Sequence, residues 1–312
     1  MRPFRFLAHP GGSHSGKQLG EVARRAEGLG YSGLVFPDHL GMQMSPIPAM
    51  ATVLAATESL RAAPFVLNVD LHQPAVLAQD LASLDVLSGG RVDIAIGAGW
   101  NKPEYDATGL SFDPTGTRVE RLTEAVAILK GCFGDGAYSL AGDHYTITDF
   151  NSQPKPVQRP HPPFFIGGGG RRTLELAARQ ANVVGFAPRL LKGAADPRSM
   201  TFEATVEKME WVRTAAGDRF EELEFNAYPS GVPVTVTDDL HGEAGKVVDF
   251  FRKQSGHELT VEEVIDSPHL FIGSIDRLTE KFVELRERLG ISSFMVGDVD
   301  ELAPVVERLA GT

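Results

Sequence analysis

Apolar and polar positions along this chain change period in a repeating order. Short apolar runs, of the kind expected for strands buried on both faces, fall at residues 4–9, 33–38, 64–70, 92–99, 163–168, 183–188, 224–237 (broken by prolines) and 292–297. Helical periodicity fills the gaps. Leu19, Val22, Ala23, Ala26 and Leu29 share one helical face, and so do Ile275, Leu278, Phe282, Leu285 and Leu289. Thr117-x-x-Glu120 and Thr260-x-x-Glu263 predict capping boxes, and Gly30 and Gly290 predict helix ends. Alternating strand and helix implies a parallel sheet. About eight such units in 312 residues point to an α/β fold, a (β/α)8 TIM barrel, with an open doubly wound sheet as its rival.

Two stretches break the alternation. Residues 134–162 predict a small hairpin turning at Gly142-Asp143, followed by a proline-rich run. Residues 189–275 hold extra helical segments. Both are expected to be insertions in a single domain spanning 1–312.

Composition narrows the function. Apolar residues make up 42% and charged residues 23%, as in a globular protein. The net charge of -11 argues against a nucleic-acid partner and requires any anionic ligand to find a locally basic pocket. No apolar run approaches a membrane span, the N-terminus does not resemble a signal peptide, and the one cysteine, Cys132, fits a reducing, cytoplasmic setting.

In a barrel, chemistry gathers at the carboxyl ends of the strands. The first strand ends in His9, the second in Asp38-His39, the third in Leu67-Asn68-Val69, the fourth in Gly97-Ala98-Gly99-Trp100, the fifth in Gly167-Gly168-Gly169-Gly170 followed by Arg171-Arg172, and the sixth in Phe186 through Arg189. An apolar strand that finishes in glycines and a tryptophan leaves room for something flat against its backbone. Four glycines opening a helix suit a phosphate, held by backbone N–H groups with Arg171 beside them. A tight turn with surface arginines is the plainer reading. His39, next to Asp38, is the proton-transfer candidate, ahead of His9 and His269. No spacing of His, Cys, Asp or Glu points to a metal, and no Gly-x-Ser-x-Gly elbow occurs.

The blocks GLVFPDHL, QPAVLAQDLASLDVLSGGRVDIAIGAGW, RVERLTEAVAILK, PKPVQRPHPPFFIGGGG and FIGSIDRLTEKFVELRERLG, taken in order, resemble the bacterial luciferase-like monooxygenase superfamily, and most of all its branch using the deazaflavin coenzyme F420. The resemblance implies a luciferase-like barrel with insertions, and a flavin or deazaflavin ring across the barrel mouth. Asp38, Leu67, Asn68, Val69, Gly97, Ala98 and Gly99 would contact the ring, and a non-proline cis peptide is expected at the bulge of strand three. Gly167, Gly168, Gly169, Gly170 and Arg171 would hold the phosphate, and Arg172, Arg189 and Lys192 would add charge for an acidic tail. His39 would be catalytic, with His9, Trp100, Phe186 and His269 around the substrate. The implied activity is F420-dependent hydride transfer to or from a small organic substrate. The alternatives are an FMN-dependent monooxygenase fed by a separate reductase, and a flavin-binding barrel without turnover. A homodimer is implied by resemblance alone. Two positions depart from the family pattern. Trp100 stands where the sugar-phosphate dehydrogenases of the superfamily carry an acidic residue, with Glu104 nearby but shifted, and Asn182 replaces a common aspartate.

Overall fold

The computed structural model describes every residue except Ser13, Met42, Lys192 and Glu258. Lys192, expected to add charge near the cofactor, therefore lies outside the described residues. Contacts divide the chain into two compact units. One comprises Met1–Gly11, Arg25–Gly33 and Gly167–Thr312, the other Gly12–Arg24 and Leu34–Ile166.

In the first unit four parallel strands lie in the order Arg5–His9, Ile291–Asp298, Glu224–Ala227 and Val183–Phe186. Where the sheet meets the helix Ile275–Leu289 the contact is made by large rings. Phe282 and Phe294 meet with ring centroids 4.5 Å apart, and Phe271 packs on Phe282 at 5.0 Å. The helix Ile275–Leu289 supplies Phe282 from the face that its periodicity predicts, and ends at Gly290 with φ of 69°. The capping box at Thr260 forms, with Glu263 returning the bond.

The stretch 189–275 is not insertion alone, because the strand Glu224–Ala227 within it joins the parallel sheet. Around that strand sit a short antiparallel pair, Leu190–Leu191 with Ala194–Ala195, and the helices Phe202–Ala216, Leu240–Ser255 and Val261–Asp266.

In the second unit, Ile94–Gly97 pairs in parallel with Leu67–Asn68 on one side and with Phe164 to Ile166 on the other. The expected third strand is interrupted. Arg61–Pro64 and Leu67–Asn68 are separate pieces, and the peptide between them, Phe65-Val66, is cis. The resemblance had placed that feature at Leu67 to Val69. The hairpin of Tyr138–Ala141 and Thr146–Phe150 turns at Gly142, as expected. Glu124 holds the turn by accepting the N–H groups of Asp143, His144 and Tyr145.

The helix Thr115–Phe133 begins with Pro114 at its N-cap, so Thr117 lies inside the first turn and caps nothing. The predicted box fails there because a proline before the helix already fixes the entry. Among the described residues no helix is long and apolar enough to cross a membrane.

Candidate active site

The second unit gathers a polar cluster at its strand ends. Asp38 and His39 follow the strand Gly33–Phe36, and adjacent residues of an extended chain project to opposite sides. They consequently find different partners. His39 Nδ1 lies 2.6 Å from Glu104 Oε1, and Glu104 is buried. Asn101 donates its side-chain amide to the same Glu104 oxygen. His39 keeps Nε2 free of hydrogen bonds to the described residues. Trp100 stands edge-on to the imidazole, with ring centroids 5.6 Å apart, and is 48% exposed.

Asp38 instead faces His72, with Oδ2 2.8 Å from Nε2, and accepts the Asn68 N–H at 2.9 Å. Adjacent in the sequence, Asp38 and His39 therefore do not pair with each other. Sequence reasoning missed His72, and it noted Glu104 only as a shifted acidic neighbour of Trp100, not as the partner of His39. The signal for Glu104 was its spacing from Asn101, three residues apart across the opening turn of the helix Lys102–Thr108.

Behind this cluster lies a buried strut. The Tyr105 hydroxyl is 2.9 Å from Asp70 Oδ2 and 3.1 Å from Asn68 Oδ1. A hydroxyl has one proton, and the Asp70 carboxylate is the stronger acceptor. Burial, with Asp70 adding to it, pushes the Tyr105 hydroxyl up to about 12, so it stays a neutral donor. Arg121 grips Asp70 with two donors, at 2.8 and 3.1 Å, and reaches Asp113 with a third. That third hydrogen bond holds the Asp113 carboxyl below its usual range.

The glycines of the fourth strand have protein neighbours that account for them. A Cβ at Gly97 would meet Val66 at 2.8 Å, and one at Gly99 would meet the Tyr105 hydroxyl at 2.1 Å and Asn68 at 2.4 Å. Gly99 also has φ of +70°. The flat approach inferred for a ligand is thus taken, on one side of each glycine, by the protein itself. Ala98 and Gly99 remain partly exposed, as do Phe65 and Val66, whereas Leu67 and Val69 are fully buried. The surface that strand three offers is therefore Phe65-Val66 rather than the predicted Leu67 to Val69, which packs inward.

The first unit holds the glycine loop, residues 167–170. Gly169 is required by packing, since a Cβ there would lie 2.3 Å from the Pro188 carbonyl oxygen, and Gly168 would meet Thr173. Gly170 alone of the four is exposed with open space at its Cβ position, and it precedes the helix Arg171–Gln180, which no side chain caps.

The basic rim is partly spent. Arg171 bonds Glu175 at 2.7 Å, and Arg189 and Arg198 both approach Asp196. Burial would raise the Asp196 carboxyl, but the hydrogen bonds from Arg198 and the charge of Arg189 outweigh it and hold it low. His9 accepts the Gly11 N–H through Nδ1 at 3.0 Å and is half-buried. Phe186 and His269 are 0% exposed, which corrects their assignment to a substrate wall, because a side chain with no surface lines no open pocket. His269 is pushed down to about 3 by burial and by the charge of Lys208. No group of metal-ligating residues occurs among the described residues.

The sequence profile of the luciferase-like monooxygenase family matches residues 1–236. The FMNH2-dependent dimethylsulfone monooxygenase of Pseudomonas putida is 37% identical over 127 residues, which are 41% of this chain and 35% of that enzyme. The chain thus matches about a third of that relative's length. Two solved structures superpose along nearly the full chain. The coenzyme F420 dependent tetrahydromethanopterin reductase from Methanopyrus kandleri gives a TM-score of 0.75 at 19% identity, over 100% of this chain and 98% of that one. The F420-dependent secondary alcohol dehydrogenase in complex with an F420-acetone adduct gives 0.73 at 18% identity, over 99% and 98%. These likenesses establish the fold as the α/β barrel of that family.

Proposed function

The chain belongs to the luciferase-like monooxygenase family, and from that premise we propose that it is an oxidoreductase that uses the deazaflavin coenzyme F420 to transfer a hydride to or from a small organic substrate carrying an alcohol or carbonyl oxygen. The observation that carries this reading is the His39–Glu104 pair. A buried carboxylate fixes Nδ1, and Nε2 is left to face a ligand. Hydride transfer at a carbon bearing oxygen needs a proton delivered to, or taken from, that oxygen in the same event. His39 supplies that group at the end of a strand, Glu104 sets its tautomer and orientation, and Trp100 walls off one edge.

F420, when bound, contributes the two-electron hydride donor or acceptor. The chain's own surfaces fit a flat ring where Ala98, Gly99, Phe65 and Val66 are partly exposed. Taken by itself, the first unit offers a phosphate-sized opening at Gly170, where open space meets an uncapped helix start.

A second reading, a monooxygenase supplied with FMNH2 by a separate reductase, is favoured by the dimethylsulfone enzyme among its relatives. It is also favoured by the rim arginines already paired with Glu175 and Asp196, which leaves less charge for the acidic tail of F420. Titration with F420 and with FMN, followed by anaerobic turnover of a panel of alcohols and carbonyl compounds, tests the proposal. Anaerobic turnover with F420 supports it. Tight FMN binding with strictly oxygen-dependent turnover replaces it with the second reading. Binding without turnover in either gas phase leaves a flavin-binding barrel. The resemblance also leads us to propose a homodimer, checked by light scattering at micromolar concentration.

A further inference from the structure

Arg118 is buried at 5% exposed, yet it makes no ion pair with a carboxylate among the described residues. It spends its donors on oxygens of the chain. Nε bonds the Asp113 carbonyl at 2.9 Å, Nη2 reaches the Thr115 hydroxyl at 3.3 Å, and its plane lies over the Phe112 ring, 4.2 Å from the centroid. Nη1 holds two consecutive carbonyls, Ala98 at 3.1 Å and Gly99. Burying a guanidinium is costly, and the hydrogen bonds that offset the cost here also hold the end of the strand in one orientation.

Fixing those carbonyls fixes what lies opposite them. In a trans peptide the C=O and N–H point in opposite directions. With the Ala98 and Gly99 oxygens turned to Arg118, the N–H groups of Gly99 and Trp100 point away from it. Because a single nitrogen, Arg118 Nη1, takes both carbonyl oxygens, the two C=O groups face it together and the two N–H groups leave on the side away from it. Neither N–H has an acceptor among the described residues, and both residues are at least partly exposed. Consecutive N–H groups arranged in this way bind a negatively polarised oxygen. The Trp100 ring stands edge-on to the His39 imidazole with centroids 5.6 Å apart, so the residue that carries the second donor also borders the proton-transfer group.

We propose that the Gly99 and Trp100 N–H groups form a two-donor cradle for a carbonyl or carboxylate-type oxygen, with Arg118 as the positioning residue that turns them outward. This rests on the reading of the strand-four end as part of the active site. The oxygen belongs either to the substrate or to the pyrimidine part of the cofactor ring. In both cases the cradle stabilises negative charge on that oxygen while His39 handles the proton.

The chain has two tryptophans, so a protein labelled with 15N-tryptophan shows two backbone amide signals, and Trp211→Phe identifies that of Trp100. Three additions are made separately: F420, FMN, and sodium acetate, the last to both free and cofactor-loaded protein. A downfield shift of the Trp100 amide with a cofactor alone assigns the oxygen to the ring. A shift only with acetate assigns it to the substrate. Arg118→Met should abolish the shift and weaken the responsible ligand about tenfold per lost donor. Arg118→Lys, which keeps a buried cation in place, should retain part of both effects. Failure of both cofactors to bind would overturn the functional reading, while the acetate addition still decides the cradle. A Trp100 amide unmoved by every addition, or moved equally in Arg118→Met and the parent, overturns the proposal.

Discussion

Arg118 aside, the two units use their buried ionisable side chains in different ways. In the unit of His39, charged and polar side chains are stacked behind one imidazole whose outer nitrogen is uncommitted. In the unit of the glycine loop, buried charge is consumed in holding the chain. Lys208 donates to the carbonyls of Ala187 and Ser199 at 2.7 and 2.6 Å, and Lys281 to those of Ile265 and Leu270 at 2.8 and 2.6 Å. Burial pushes both amines down to about 7. A neutral amine still offers two N–H donors, so each lysine can satisfy its two carbonyls without a charge. The difference teaches where to look for chemistry: a titratable group with all its bonds directed inward is structural, and one with a free atom directed outward is a candidate for work on a ligand.

The largest expected effect breaks the comparison at His39. Removing a general acid or base costs about 10²–10⁴-fold in rate, so His39→Ala should lose turnover to that extent while the thermal midpoint and cofactor affinity hold. His72→Ala, which removes the partner of Asp38 rather than the outward-facing imidazole, should cost far less. Glu104→Gln keeps the shape but removes the carboxylate that orients His39, and should lower turnover by less than His39→Ala does. Steady-state kinetics across pH on the three variants checks this. Equal losses in His39→Ala and His72→Ala would erase the distinction between the two imidazoles.

The second prediction concerns the lysines. Lys281→Met leaves the carbonyls of Ile265 and Leu270 without their donor, and an unsatisfied buried acceptor costs about 1–3 kcal/mol. Calorimetry should show that loss, with kcat per folded molecule unchanged. A pH signature accompanies it. The folded amine titrates near 7 and the unfolded one at an ordinary lysine value, so the unfolded chain binds more protons between the two. Stability contributed by this group is therefore full above the unfolded value and is lost as pH falls toward 7. The rise in stability from neutral to alkaline pH should be shallower in Lys281→Met than in the parent. An identical slope in both would mean that the amine stays charged when buried.

The barrel was legible in the chain because its strands are short apolar runs bounded by glycines and prolines, and all eight runs contain a strand. The break at Phe65-Val66 was displaced by two residues in the expectation, since an apolar run gives no mark of where pairing stops. At the site, His39 was legible from its place at a strand end. Its partner was not, because Glu104 lies 65 residues further along the chain and only the fold brings the two together. Phe186 and His269 were assigned to a wall because strand ends alone do not tell whether a side chain faces a pocket or the core.

A smaller effect separates two neighbouring glycines. Gly169→Ala would drive a methyl into the Pro188 carbonyl, and overpacking of this kind costs about 1–3 kcal/mol. The loss should appear without any ligand. Gly170→Val meets nothing of the protein and should leave the thermal midpoint near that of the parent, while it weakens a phosphate-bearing cofactor by covering the helix start. Differential scanning fluorimetry with and without cofactor distinguishes them. A Gly170→Val variant that binds cofactor as the parent does would return the loop to a plain turn.

The smallest expected effect sharpens the choice between the two cofactors. Arg171, Arg172 and Arg189 follow the ends of their strands, where the acidic tail of F420 would need positive potential. Arg171 is already bonded to Glu175, and Arg189 lies 3.8 Å from Asp196, so a tail would compete with a carboxylate for either one. An exposed ion pair contributes about 0–1 kcal/mol and is screened by salt. Arg189→Ala should therefore weaken F420 by less than about fivefold, with the difference vanishing at high salt, and leave FMN unchanged. Asp196→Asn releases Arg189 from its competitor, and should strengthen F420 binding at low salt if the tail uses this arginine. The same variant costs some stability, because Asp196 is buried and bonded by Arg198, so affinity must be measured well below the melting range. Isothermal titration of both cofactors at two salt concentrations reads all of this. An F420 affinity indifferent to salt and to both variants would place the tail elsewhere and leave the rim as a solvated surface.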